Sequence, residues 1–419
     1  MNFLNFLASE ITIFDGNLQN VPLTGVTKLV ADCIKALSFG GYIAVGILLF
    51  SLILKIIPLP FDIYSRVATK KNALKMERMR PELEKLQRQY ANNKELYSQK
   101  MMALYKKEGY STFASCLPTL FTLIFFIIVI SAFTQYSTYS KIEDFNQMAI
   151  AYSQNIKDNE NVQVRYYETN ANGDIIDATN GYVLLESEKE SGKTYTVKYY
   201  TELEGSIHDK ESAYFKQIIA PAQDAAAEKY LETTKSHSFL WVKNIWVEDL
   251  PWKKAFVSKD VYKNSTFSYS EGCSCSAKHI TSDISNENAY DILMGSPKLD
   301  ELKEAPNGYL ILVVLSIGSM LLSQLLMTKS QKAQLELQTV DQTAQQTNKM
   351  MMWMMPIMFG VFSFMYTASF SLYLIVSTLF SMVSTLFINK IVENKFEKQI
   401  QKEEEEKYNK RYGYLNKKK

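Results

Sequence analysis

Polar residues vanish from this chain in five places. Gly40–Pro60, Thr112–Phe133, Tyr309–Met327, Met350–Thr367 and Ser369–Ile391 are apolar runs, each roughly the eighteen to twenty residues that a helix needs to cross a bilayer core about 30 Å thick. The stretch "LPTLFTLIFFIIVISAF" (Leu117–Phe133) is broken only by Thr119, Thr122 and Ser131. A core helix of a soluble protein shows polar positions every few residues, so these runs predict membrane spans. Three are interrupted or biased: Lys55 sits in the first, Gln324 in the third, and the fourth is rich in methionine.

Between the first two runs the pattern changes period. Met76, Met79, Leu83, Leu86 and Tyr90 recur at steps of three and four, one stripe of a helix with charges elsewhere. "ANN" reads as a turn. Tyr97, Met101 and Leu104 then form a second stripe that stops at Gly109, a helix terminator. Pro81 fits a first turn better than a helix interior, which predicts a kink or restart near Arg80. The expectation is an amphipathic helical hairpin over 62–111.

The longest polar segment, 135–307, reads as a folded insertion. Short β-prone runs alternate with Asn172-Gly173 and Asn180-Gly181, which predicts hairpins. "KTYTVKYYTEL" is a further strand. "AYFKQIIAPAQDAAAEKYLETTK" is a helix interrupted near Pro221. "SHSFLWVKNIWVEDLPW" gathers Trp241, Trp246 and Trp252, which suit either a bilayer–water boundary or a buried aromatic cluster.

Charge sets the orientation. The 62–111 segment holds 12 basic residues against 6 acids, and basic flanks resist leaving the cytoplasm. The 329–349 connection and the 394–419 tail, ending "NKKK", are also placed in the cytoplasm. Five spans (40–61, 112–134, 308–328 and the pair within 350–393) then put the N-terminal segment 1–39 outside and the C-terminus inside. The insertion falls outside, with 18 Lys+Arg against 27 Asp+Glu. No signal peptide is expected, because the opening "MNFLNFLASE" lacks a basic start and its apolar stretch stops at Glu10.

Composition adds little chemistry. Cys273 and Cys275 are separated by one residue, and no second pair completes a metal site. His208, His237 and His279 are scattered. No phosphate loop or nucleophile elbow is present. The chain is therefore read as no enzyme, with no cofactor, no metal and no DNA partner.

Lys55 is the residue that needs an explanation. A lysine at mid-span costs about 2.5–3.5 kcal/mol on insertion scales. It lies five residues before Pro60, where snorkelling to the headgroups lowers that cost. Helical side chains lean toward the N-terminus, however, so in a span running inward Lys55 leans into the membrane. Ser51 is one turn earlier on the same face, and Gln324 supplies another polar group. The alternative to snorkelling is a watered, positively charged cavity formed by Lys55, Ser51 and Gln324.

The order of these features resembles the YidC/Oxa family of membrane protein insertases. The residues that carry it are Lys55 before "PLP", the hairpin "MRPELEKLQRQYANNKELYSQKMMALYKKEG", "CLP" at Cys116–Pro118, "FLWVKNIW" before the third run, and "MMWMMPIMFGVFSF" leading into "SLYLIVSTLFSMV". The match runs from about Gly40 to Phe133 and from about Phe239 to Glu393. It implies an all-α polytopic membrane protein of the bacterial cell membrane, a five-helix transmembrane core with a cytoplasmic helical hairpin. To this the chain adds an α+β extracytoplasmic insertion between the second and third spans. It also implies a hydrophilic groove whose basic residue, usually arginine, is matched here by Lys55. Lysine keeps the charge and loses the bidentate fork. The family's glycine-proline approach to "CLP" reads "STFAS" here, and its Pro-Ala-Gly between the last spans reads "TASFS". The implied activity is insertion and folding of nascent membrane proteins without nucleotide hydrolysis. The ribosome is the implied partner of the hairpin and tail, the lipid bilayer surrounds the spans, and the Sec translocon is a candidate partner. A transporter or channel with an anion-binding cavity at Lys55, and a scaffold acting through its outer domain, stay open as alternatives.

Overall fold

The computed structural model describes residues 9–11, 18–20, 23–110, 113–177, 181–263, 266–269, 274–276, 286–338, 350, 354, 357–358 and 360–412. In chain order its elements begin with β1 (Ser9–Ile11), β2 (Leu18–Asn20), α1 (Gly25–Leu37), α2 (Ile43–Ile56), α3 (Leu59–Gln89), α4 (Lys94–Lys107) and α5 (Phe113–Lys157). There follow β3 (Gln163–Thr169), β4 (Tyr182–Val183), β5 (Thr194–Thr201), α6 (Ala220–Ser236), α7 (Lys259–Lys263), β6 (Thr266–Tyr269) and β7 (Ser274–Ser276). The last are α8 (Asn286–Leu293), α9 (Asp300–Glu304), α10 (Ile311–Gln338) and α11 (Ala368–Tyr412). Cys273, His279, Asn180 and the 339–349 connection lie outside the described residues. So do the side chains of the "CLP" motif, and the Met350–Thr367 run is described only in part.

The chain divides into two compact units. One comprises Cys33–Phe39, Val45–Phe133 and Leu310–Lys419. Among the described residues Ile43–Gln89 and Ala368–Lys398 are long and apolar enough to cross a membrane, and Ile311–Leu326 is a shorter apolar helix. Pro58 and Pro60 supply no N–H, so α2 ends at Ile56 and α3 starts afresh at Leu59, the Asp62 N–H bonding to Pro58 O at 3.0 Å. α3 then runs unbroken through Pro81, where the sequence predicts a kink. Packing explains the difference. Met76, Met79 and Leu83 are 1–2% exposed and cluster with Leu104, with Leu86, Met101, Tyr105 and Tyr110 around them. That burial and an Arg80–Glu84 ion pair at 3.1 Å one turn on hold the helix against a proline penalty of about 3 kcal/mol. Asn93 caps α4 by accepting from the Leu96 N–H at 3.1 Å, and Gly109, at φ 60°, ends the segment.

α10 packs on both α11 and α3. Past its apolar run α11 continues as helix to Tyr412. Its Ile388, Val392 and Phe396 form a cluster with Val67 and Leu74 of α3. α2 is crossed closely by the end of α1: a Cβ placed on Gly46 would lie 2.3 Å from the Ile34 carbonyl oxygen.

The other unit comprises Met1–Asp32, Gly40–Ala44 and Thr134–Tyr309. It carries a four-stranded antiparallel sheet of order β1-β5-β3-β4 and a three-stranded one of order β2-β6-β7. β3 and β5 pair from Gln163↔Tyr200 to Thr169↔Thr194. After β3 the chain turns at Asn172-Gly173, Gly173 taking φ 88° and the Asn170 side chain accepting from the N–H groups of Asn172 and Asp174, both at 2.9 Å. The core is helix on helix. Phe145, Met148, Ala149, Tyr152 and Ile156 on α5 bury against Ala222, Ala226, Ala227 and Tyr230 of α6, at the spacing of a helical stripe. Pro221, near which the sequence predicts an interruption, is preceded by a π-helical turn at Phe215–Ile219. Proline leaves the carbonyl four residues back without its donor, and the Asn159 side chain fills that role, bonding Gln217 O at 2.8 Å.

One ionisable pair lies inside this core. Asp144 (1% exposed) and His237 (4%) approach to 3.3 Å between Oδ2 and Nδ1. Burial pushes the Asp144 carboxyl above its ordinary range, opposed by the His237 imidazole. The Trp246 ring stands edge-on to His237 and to Tyr136. Of the three tryptophans in this segment, then, Trp246 is fully buried, Trp241 partly so, and Trp252 is 63% exposed.

Candidate functional site

Lys55 occupies the last turn of α2. Its place there has a local cause: a cation is favourable beside the free carbonyls of a helix C-terminus, as Asp62 is in the first turn of α3. Lys55 is half-buried among apolar neighbours, and among the described residues it has no hydrogen bond or ion pair. Asp62 is close enough for its charge to act on Lys55 and on Arg66, so the cations and the acid form an alternating string along the α2–α3 junction.

The structure does not join the three sequence-predicted residues by hydrogen bonds. Ser51 is fully buried, and its hydroxyl donates to Ile47 O in its own helix at 2.6 Å. Gln324 is partly buried on α10. What the structure does bring together is a set of serines. Ser316 and Ser363 share a hydrogen bond at 2.6 Å and Ser363 and Ser371 another at 3.2 Å. These side chains are at most 1% exposed, so a polar chain links α10, the helical residues around 363, and α11. Thr367 and Ser369 add a pair at 2.7 Å. Aromatic rings flank this interior: Phe133 lies 5.6 Å from Tyr373 and 6.3 Å from Phe50.

A second polar contact escapes a reading of the sequence. Arg66 on α3 donates from Nη1 to Asn389 Oδ1 at 2.8 Å and from Nη2 to Thr385 Oγ1 at 2.7 Å. Thr385 in turn donates to Ser381 O at 2.6 Å. The guanidinium fork thus ties the start of α3 to α11, at Asn389 beside Ile388 of the apolar cluster. The available signal was the spacing of Ser381, Thr385 and Asn389, polar positions four apart on one face of an otherwise apolar helix.

Long apolar helices with buried, hydrogen-bonded serines between them fit a helical membrane protein. The sequence profile of the family described as 60Kd inner membrane protein matches residues 35–171 and 228–395, well over half of the chain. The chain belongs to that family. It is 38% identical over 114 residues to the membrane protein insertase YidC 1 of Streptococcus pyogenes serotype M3, covering 26% of this chain and 40% of that protein. It is 34% identical over 116 residues to the insertase YidC of Treponema denticola, covering 27% and 19%. It is 34% identical over 94 residues to that of Clostridium perfringens, covering 22% and 37%. The chain thus spans about two fifths or less of these relatives' length. No solved structure matches. The family match breaks between 171 and 228, a stretch that holds β4, β5 and the π-helical turn.

Proposed function

We propose that this protein is a membrane protein insertase and chaperone whose working site is a positively charged hydrophilic groove at Lys55, with Ser51 and Gln324 in its lining. The observation that carries the proposal is Lys55 itself, a half-buried cation without an ion pair among the described residues, at the end of an apolar helix within the family match. In this reading five spans form the core, the α3–α4 hairpin and the α11 tail are cytoplasmic, and the 135–307 insertion and the N-terminus are outside. The basic hairpin and tail receive the ribosome or the emerging chain, with the Sec translocon as a further partner. A short, often acidic segment of the nascent protein enters the groove and meets the ammonium of Lys55. Water and serine hydroxyls in the groove lower the desolvation penalty of that segment, and its apolar helix then moves into lipid. Nucleotide hydrolysis is not required.

The proposal is tested by placing a photoreactive amino acid at Lys55 or at Ile57, which is 58% exposed, and irradiating ribosome-arrested single-span substrates. The groove reading expects adducts to the substrate from position 55 with a hydrophilic flank of the nascent chain. Equal adducts from both positions, or none from 55, would contradict it.

A further inference from the structure

Residues 239–255 and 305–309 fold as one knot. Asn307 is fully buried; its amide donates to the carbonyls of Asn244, Val247 and Glu248 at 2.9–3.1 Å and its Oδ1 accepts from the Asn244 N–H at 2.8 Å. The Asn307 N–H bonds Lys253 O at 2.8 Å. Asp249 Oδ1 accepts from the Tyr309 N–H at 2.9 Å. Gly308 is required beside it, since a Cβ there would come 1.7 Å from that oxygen. The loop is therefore fastened to Tyr309, two residues before the apolar helix α10 begins at Ile311. Two residues span at most about 7.6 Å, comparable to the headgroup layer on one side of a bilayer.

The loop buries most of its apolar side chains, leaves Phe239 and Trp241 partly buried, and exposes two. Val242, Ile245, Trp246, Val247 and Leu250 are 9% exposed or less, whereas Leu240 is 75% and Trp252 63% exposed. Leu240 also adopts φ 54°, a left-handed conformation that costs a non-glycine residue about 1–2 kcal/mol. Water rewards neither the strain nor the exposure. Three exposed lysines flank these tips: Lys253 pairs with Glu248 at 3.7 Å and Lys254 with Glu304 at 2.9 Å, while Lys243 has no ion pair among the described residues; tryptophan with lysine is the composition of a bilayer–water boundary.

We infer that this loop is a membrane-docking element: Leu240 and Trp252 insert at the headgroup–acyl boundary of the bilayer that α10 enters, with Lys243 toward lipid phosphates. The inference rests on α10 entering a membrane and not on insertase activity. In a full-length variant with Cys33, Cys116, Cys273 and Cys275 replaced by alanine, Leu240→Cys or Trp252→Cys is labelled with an NBD fluorophore. The protein is then reconstituted into phosphatidylcholine–phosphatidylglycerol vesicles. Both side chains are exposed, so the substitutions leave the buried knot intact. Docking predicts a blue-shifted emission that falls when the acyl chains carry bromine. Emission like that of free NBD-cysteine would overturn the inference. A blue shift that bromine does not quench would also overturn it, because the patch would then be covered by protein.

Discussion

Asp144 and His237 put a titratable pair where water does not reach, and the sign of its effect on stability follows from the direction of the carboxyl shift. Burial raises the folded-state value above the unfolded one, about 3.9, while His237 opposes the rise and the neighbouring Glu143 adds to it. The folded state then holds the proton longer than the unfolded state. The stabilisation is full below about pH 3.9 and is lost as pH rises through the raised value. Asp144→Asn should flatten that loss above about pH 4, read from thermal unfolding followed by tryptophan fluorescence, to which Trp246 beside His237 contributes. A pH profile unchanged by the substitution would assign the titration elsewhere. Arg66 acts at the same scale through two bonds. Hydrogen bonds from a charged group contribute about 1.5–3 kcal/mol each. A double-mutant cycle of Arg66→Ala with Asn389→Ala, read from unfolding in detergent, should therefore show coupling of about 1 kcal/mol or more; additive losses would contradict the contact.

Elements were legible where a local period carried them. The apolar runs became α2 and the starts of α5, α10 and α11, and the hairpin stripe of Met76, Met79 and Leu83 became a buried cluster. The Asn172-Gly173 turn was legible because only a few residue types accept φ above zero. What was not legible involves distant partners. Pro81 stays inside α3 because its neighbours Met76, Met79 and Leu83 bury against Leu104 of α4, and Arg66 meets a residue 323 positions away; the polar spacing on α11 marks a face but not its partner. Lys55 was legible as an interruption, but the last-turn position that gives it a local role depends on the break at Pro58. Two substitutions test the helix contacts. Gly46→Ala should destabilise the unit by about 1–3 kcal/mol through overpacking against Ile34, measured by unfolding in detergent, with little change contradicting the close crossing. Ser363→Ala should cost about 0.6 kcal/mol, and at most about 1.7, by cutting the serine chain, whereas Ser384→Ala should cost less.

For the whole molecule, the proposed mechanism lets charge at one position decide a transport event. Family membership and an apolar helical frame place the protein in a membrane, and Lys55 gives that frame its proposed chemistry. The most direct measurement uses a strain depleted of its own insertase, supplied with this protein as Lys55, Lys55→Arg or Lys55→Ala at equal abundance. It follows insertion of a single-span test protein with an acidic translocated tail. The groove mechanism predicts that the native and arginine forms insert the test protein and the alanine form fails. Equal insertion by the alanine form would show that Lys55 only completes a helix end, and the charged-groove account would be wrong.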